Sequence, residues 1–565
     1  MRGRGPIIVL AAVAVLIAFL ARGRDDDGGG RPATGPSAGG TAPSGPLLRV
    51  AFVHSPEKAA MLEPLIARYN AERHRAGGAT VQIVGRNLSS GQATDDIGAG
   101  RLKPALWSPA SSLWGRLLNY TADRRYAPER SPSLVSTPLV VAMWEPMARA
   151  LGWPAQRVGF EQLLRLATSR RGWAAYGHRE FGPFKLGHTN PDFSTAGLSA
   201  VAAEYYAARG KREGLTVADV ERPAVRDRIR RIERSIVHYG DTTLFIADQM
   251  RRQGPGYASA VAMEEVTLLD FNRDRAGQPR LVALYPPEGT FYSDNPFIVL
   301  DAPWVSAKER AAAGRFQEFL ADRIDPELAA RSGFRPADTE QEPVAPVSKE
   351  NGVDPAQPER VLGLPEPRVL DAIKRIWRED RKPANVMLVV DTSGSMADEN
   401  RLARAKEGLQ TFFEQVGRQD SVGLTIFSDV IQPLIAVGPF RDSERELRST
   451  VRNLIADGGT AVYDATIQAF EDMRGRAGPD RINAVVVLTD GEDTDSSADA
   501  DEVAQAVRAQ GDSDEQVRVF TIAYSAGAAG AADALQAISE ASGGQPYEGD
   551  TEDIEAVYRS ISSFF

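Results

Sequence analysis

Apolar residues are distributed along this chain in three distinct ways. Residues 7–21 form an unbroken apolar run behind Arg2 and Arg4, the pattern of a membrane-directed segment. Residues 25–46 are Gly, Pro, Ala, Ser and Thr with almost no large apolar side chain, so burial cannot offset the entropy of ordering them. They predict a flexible tether with an r.m.s. reach on the order of 25 Å. From Leu47 onward, short apolar runs alternate with stretches of helical spacing. Leu48-Arg49-Val50-Ala51-Phe52-Val53 reads as a strand and Ser55-Pro56-Glu57 as a helix start. Met61, Leu62, Leu65, Ile66 and Tyr69 read as one helix face, and Val81-Gln82-Ile83-Val84 as the next strand. Similar alternation passes through 139–143, 184–187 and 297–300.

Residues 337–367 are rich in Pro and Glu, a linker composition, and 369–377 predicts a short helix. A second α/β region follows, with strands expected at 386–390, 422–427, 484–488 and 517–523. Between the first two, Leu402, Ala405, Leu409, Phe412 and Val416 share one helix face. Strands alternating with helices predict a mostly parallel, doubly wound sheet whose ligand site lies at the strands' carboxyl ends. The expected domains are a membrane segment at 6–21, a linker at 22–46, a folded region at 47–340, a linker at 341–382 and a last domain at 383–565.

The apolar run is short for a membrane span, and a secretory signal peptide fits its length as well. A cleavage site wants small residues at −3 and −1, however, and Phe19-Leu20-Ala21 places a bulky one at −3. The reading adopted is a single-pass N-terminal anchor in the cell membrane with the bulk outside; cleavage would make the protein secreted. A formal charge of −10 over 565 residues argues against a phosphate-tracking groove, so no nucleic acid partner is expected. The absence of cysteine removes disulfides, thiol nucleophiles and thiolate metal sites. All five histidines lie in the first half, so a metal in the last domain must be held by oxygen.

The predicted strand 386–390 ends in Asp391-Thr392-Ser393-Gly394-Ser395, which brings a carboxylate and hydroxyls to one carboxyl edge. Gly458-Gly459-Thr460 adds a third hydroxyl from a turn, and Thr489-Asp490-Gly491 a second carboxylate. Such a set suits a hard cation, although Asp391 and the serines could instead cap the following helix. Asp493 and Asp495 read as solvated loop acids outside the site. Together the three separated motifs resemble the von Willebrand factor A domain, over roughly 385–565. The resemblance implies a metal-ion-dependent adhesion site for Mg²⁺ (or Mn²⁺). Ser393, Ser395 and Thr460 would be direct ligands, Asp391 and Asp490 would act through water, and a protein partner would supply a carboxylate.

The first folded region is similar to bacterial extracellular solute-binding proteins of the molybdate and sulfate type. The likeness rests on Ser136-Thr137-Pro138-Leu139-Val140-Val141-Ala142, on the run from Gly187-His188-Thr189-Asn190 to Ser194-Thr195-Ala196-Gly197, and on Tyr285-Pro286-Pro287-Glu288-Gly289-Thr290. It implies two α/β lobes in a type 2 periplasmic-binding-protein-like arrangement, with lobe one at 47–136 and 285–340 and lobe two at 137–284. Ser55, Ser89, Ser90 and Thr195 lie at or near predicted helix starts, where backbone N–H groups favour a small oxyanion; plain N-capping is the competing reading.

Ser55-Pro56-Glu57-Lys58 and Ser293-Asp294-Asn295 match two motifs of acyl-serine enzymes, but they lie far apart in sequence and no Lys-Thr-Gly follows. Nucleotide-binding and zinc-protease motifs are missing from the sequence. The expectation is therefore a non-enzymatic surface binding protein whose A-type domain captures a protein and whose first domain senses or binds a solute. The rival is a transport-linked oxyanion receptor in which the A-type domain is a docking module.

Overall fold

The computed structural model describes residues 46–169, 171–508, 516–524, 531–549 and 554–565. The apolar segment 6–21 and the tether up to 45 lie outside the described residues. Among the described residues no helix is long and apolar enough to cross a membrane.

Lobe one is built on β1 (Leu47–His54), β2 (Arg75–Ala76), β3 (Ala79–Asn87) and β4 (Leu106–Ser108). Lobe two follows with β5 (Thr137–Trp144), β6 (Leu186–His188), β7 (Ala260–Glu264), β8 (Leu281–Leu284) and β9 (Tyr292–Ser293). The chain then returns to lobe one as β10 (Ile298–Val299). The sheet orders are β10-β4-β1-β3-β2 and β6-β7-β5-β8, with β9 paired to β5. Because β8 and β9 both pair with β5, the return to lobe one falls after Ser293 rather than at the expected 285. All eight residues of β5 are buried, so its near-continuous Leu-Val-Val-Ala-Met run suits a strand covered on both faces.

The C-terminal domain carries β11 (Ala384–Asp391), β12 (Ser421–Phe427), β13 (Ile431–Pro439), β14 (Ile482–Thr489), β15 (Val517–Tyr524) and β16 (Pro546–Gly549). Their order is β13-β12-β11-β14-β15-β16, parallel throughout except for the antiparallel edge strand β13. This is the expected Rossmann-like sheet, and its carboxyl edge collects Asp391 and Asp490.

Residues 341–366 do not hang free between the domains. The Arg335 guanidinium donates to the carbonyls of Asp354, Pro355 and Gln357, Leu362 N–H donates to Thr290 O at 2.7 Å, and the Tyr206 hydroxyl donates to Gly363 O at 2.9 Å. The helix Pro367–Asp380 opens on proline, which suits its first turn, and buries Val369, Leu370, Ile373, Ile376 and Trp377. It packs on the Leu113–Thr121 helix of lobe one and the Thr195–Arg209 helix of lobe two. Arg378 grips both oxygens of Asp192 at 2.6 and 2.8 Å, and Lys374 lies 5.5 Å from the centre of the Trp114 ring.

The C-terminal helix Ile554–Ser562 makes a second brace. Its Ser560 hydroxyl donates to Asp241 Oδ2 at 3.2 Å in lobe two, and Arg559 stands 4.0 Å from Asp96 in lobe one. Between these braces the lobes touch directly. Gly91 N–H donates to Phe193 O at 2.8 Å, and a Cβ at position 91 would fall 1.9 Å from Asp192 O, so glycine is what this approach allows.

Candidate metal centre

Asp391 is the last residue of β11, and the sheet register puts it beside the ends of β12 and β14. Its Oδ1 accepts the Ser393 N–H at 2.7 Å and its Oδ2 accepts the Thr489 hydroxyl at 2.6 Å. These bonds fold the 392–395 loop back over the strand end. The hydroxyls of Ser393 and Ser395 lie 3.1 Å apart, and Ser395 donates to Asp490 Oδ1 at 2.8 Å. Four of the five expected residues thus form one hydrogen-bonded chain.

Thr460 arrives on a separate turn that is fastened to the same loop. Gly394 N–H donates to Gly458 O at 3.0 Å, and Asp457 N–H donates to Thr392 O at 2.8 Å. Gly458 adopts φ +87°, a left-handed conformation that favours glycine, and this reverses the chain toward the site. The Thr460 N–H donates to Asp495 Oδ2 at 2.9 Å and to the Thr494 hydroxyl at 3.0 Å. Asp493 Oδ2 likewise accepts the Tyr463 N–H at 3.1 Å and the Ser496 hydroxyl at 2.6 Å. The two acids outside the expected set are fasteners of the Thr460 turn rather than merely solvated side chains.

The capping alternative for the serines is not realised. Ser393 precedes the short 3-10 turn Gly394–Asn400, but its side chain makes no capping hydrogen bond. Asp391 is fully buried, and burial pushes its carboxyl up to about 6 even though hydrogen bonds from Thr489 and Ser393 pull it back. Asp490, also buried, is paired by Arg401 through Nη1 to Oδ2 at 2.8 Å. Neither Arg401 nor Thr489 stands out in the sequence as part of the site, because an arginine after a loop and a strand-end threonine are ordinary.

The donor set suits a hard divalent cation: two carboxylates and the hydroxyls of Ser393 and Ser395, all oxygen, meet at one sheet edge, with the turn that carries Thr460 fastened beside them. Among the described residues no group of three or more His, Cys, Asp and Glu side chains is placed to hold a metal. A cation here would therefore depend on the hydroxyls of Ser393, Ser395 and Thr460 as much as on the carboxylates.

In the first domain, Ser55, Ser89 and Ser90 follow the carboxyl ends of β1 and β3, and Thr195 faces them from lobe two. Three of the four hydroxyls already serve the fold. Ser55 Oγ accepts Lys58 Nζ at 2.8 Å, Ser90 Oγ accepts the Ala110 N–H at 3.0 Å, and Thr195 Oγ1 accepts the Trp114 indole N–H at 2.7 Å. Ser89 Oγ is buried and has no partner among the described residues. None of the helices beginning beside these residues receives a side-chain cap from its N-cap residue.

The two motifs expected to be unrelated meet in space. Lys58 Nζ donates to Ser55 Oγ, to Pro109 O at 3.1 Å and to Asn295 Oδ1 at 2.8 Å. Burial pushes its pKa down to about 7, against the pull of Glu57, Asp294 and Glu264. These three contacts make the lysine a tie between the β1 loop, the β4 loop and the return crossing.

Comparison with known proteins gives two family matches. A model described as bacterial extracellular solute-binding protein matches residues 50–335, and one described as von Willebrand factor type A domain matches residues 385–558. An uncharacterized protein of Mycobacterium tuberculosis (strain ATCC 25618 / H37Rv) is 23% identical over 506 residues, covering 84% of this chain and 71% of that protein. The inter-alpha-trypsin inhibitor heavy chain H4 of Sus scrofa is 29% identical over 131 residues, covering 22% of this chain and 14% of its own. Among solved structures, a periplasmic thiamin binding protein aligns with TM-score 0.41 at 11% identity over 60% of this chain and 99% of its own. The hypothetical protein BatB from Bacteroides thetaiotaomicron aligns with TM-score 0.26 at 18% identity over 32% of this chain and 97% of its own.

Proposed function

As this chain belongs to the bacterial extracellular solute-binding protein family and carries a von Willebrand factor type A domain behind that region, we propose that it is an exported binding protein, anchored to the cell membrane by residues 6–21, whose A domain captures a protein partner through a divalent cation. Both families are generally non-enzymatic, and a binding role is the common denominator of the two domains. The observation that carries the proposal is the hydrogen-bonded chain Asp391–Ser393–Ser395–Asp490 with the Thr460 turn fastened beside it.

In this reading a bound Mg²⁺ or Mn²⁺ supplies a Lewis-acidic position that a partner's carboxylate completes. The chain's own residues set the terms. Thr489 and the Ser393 N–H hold Asp391 in place, and Arg401 takes up charge on Asp490 that would otherwise go to the cation. Two carboxylates, one of them shared with a guanidinium, leave the position electrophilic enough to accept a third from outside. The solute-binding domain serves as the mount: its lobes are cross-braced by the helices Pro367–Asp380 and Ile554–Ser562, which suits a scaffold or a solute sensor better than rapid delivery to a permease.

The test is calorimetric titration of the full chain with Mg²⁺ and Mn²⁺, beside Ser393→Ala. Wild-type binding that is lost in the variant, with an unchanged melting temperature in chelator, is the expected outcome. Equal binding by both proteins would refute the assignment of the site.

A further inference from the structure

Beside the candidate metal centre, β13 and the end of the helix Phe440–Arg452 hold between them an open groove of about 770 Å³. Its lining residues lie between 392 and 458, a stretch described without a break. The groove opens directly from the loops that build the site. Thr392 and Gly458 belong to its wall, and their carbonyls accept the bonds that tie the Thr460 turn to the Asp391 loop. β12 and β13 are the next two strands outward from β11, so β13 stands about 10 Å to the side of Asp391.

The groove is acidic at its mouth and apolar beyond. Val430 is 53% exposed, Leu434 39% and Ile455 80%, and these are three of the eight large apolar side chains that stand exposed among the described residues. Such clustering marks an interaction surface. The charged side chains of the described lining are Asp429 and Asp457, both exposed. Asp429 accepts the Ser428 hydroxyl at 3.0 Å and Asp457 accepts the Gly458 N–H at 2.9 Å, and neither makes an ion pair among the described residues. Asp429 also sits against the metal-site turn, since a Cβ on Gly458 would fall 2.4 Å from its Oδ1. Because β13 runs back from the carboxyl edge, Leu434 stands roughly 10 Å further down.

That order selects the occupant. A second copy docking groove to groove would set like charges against each other, and an anionic lipid surface would meet the same acids. Pro433 and the register shifts along the β12–β13 pairing blunt this edge against an added strand, so side chains have to supply the grip. Resting on the Mg²⁺ reading of the site, we propose that the partner segment whose carboxylate completes the metal shell continues into this groove. It runs as an extended chain, with a lysine or arginine against Asp429 and Asp457 and aliphatic side chains on Val430, Ile455 and Leu434. An extended residue covers about 3.3 Å, so the cation falls about three positions from the acid and the aliphatic residues over the next few.

The experiment pans a phage library of random dodecapeptides on the full chain in Mg²⁺ and measures the enriched peptides by fluorescence anisotropy. An acid followed by a cation and then by aliphatic residues should emerge. Ile455→Ser, at an exposed position, should weaken those peptides about tenfold and leave the Mg²⁺ titration unchanged. Asp429→Lys should turn the preference after the leading acid from basic to acidic. The proposal fails if no peptide is enriched, or if the enriched peptides bind Ile455→Ser and Asp429→Lys like wild type. It also fails if wild type sediments as a dimer that Ile455→Ser dissolves, since the groove would then belong to a second copy. Peptides that keep their affinity in chelator yet lose it in Ile455→Ser would uphold the groove and refute the metal; affinity lost in chelator but kept in Ile455→Ser would do the reverse.

Discussion

His188 shows how far one buried side chain can tie stability to pH. Its ring is 1% exposed, with Nε2 3.2 Å from Glu233 Oε1 and Nδ1 2.8 Å from Thr189 O. Burial alone would lower its pKa, but the charge and hydrogen bond of Glu233, helped by Glu204, raise it from 6.5 to about 9. The folded state therefore holds a proton that the unfolded chain releases earlier. The resulting stability is fully present below pH 6.5 and is lost as pH rises through about 9. Its size is on the order of 3 kcal/mol. Urea unfolding midpoints should fall across that window, and His188→Gln should flatten the slope; an equal slope in both proteins would mean that another group is responsible. Nothing in Gly187-His188-Thr189 announces this pairing, since Glu233 is brought in by a distant helix. The two acids of the candidate site, Asp391 and Asp490, were by contrast legible because each stands at or just after a strand end that its own apolar run predicts. Arg401 and Asp495 were not, because they reach the site only through the folding of loops.

Among the elements, the C-terminal helix carries the most consequence for its length. Ile554, Val557, Tyr558 and Ile561 recur at helical spacing and cover the Arg401–Gln415 helix, the one that begins at the Asp490 partner. Just past its end, Phe564 is fully buried, with its ring centre 4.9 Å from Phe245 of lobe two and 4.9 Å from Phe520 of the A domain. Phe565 makes its ring contacts with Phe412 and Phe520, both in the A domain. Phe564→Ala and Phe565→Ala should each cost about 3–5 kcal/mol. Only Phe564→Ala should expose the junction to limited proteolysis. If the two variants were cut alike, Phe564 would not be the link between the domains. The sequence made the strands of the parallel sheet plain, since 386–390 and 484–488 fall inside β11 and β14. It was less informative where backbone contacts decide. The strap at 341–366 reads as a linker because it is held through its carbonyls, and β8 and β9 are too short for their pairing with β5 to show in a pattern.

At the scale of the whole molecule, one buried apolar cluster runs without interruption from Val50 in lobe one, through Trp377 in the bridging helix, to Phe565 in the A domain. A continuous core of this kind argues that the described domains unfold together, although the linker composition ahead of the bridging helix would suggest independent modules. The polar seam along that core is concentrated at Asp380, whose side chain is 2% exposed and accepts from Arg226 at 2.7 and 2.8 Å and from Arg230 at 3.0 Å. Removing the carboxylate leaves Arg226 with only Glu379, at 3.0 Å, and leaves the part-exposed Arg230 facing the vacated position, a loss on the order of 1–3 kcal/mol. That loss falls on the attachment between the first domain and the helix that leads into the A domain, and leaves each domain's own core intact. Calorimetry of the full chain should therefore show a single transition in wild type and two in Asp380→Ala, the earlier one belonging to the domain that has lost its brace. Because the proposed metal centre lies on the far side of that attachment, added Mg²⁺ should shift only the A-domain transition in the variant but the whole transition in wild type. Two transitions already present in wild type would mean that the shared core joins the domains without making them cooperative.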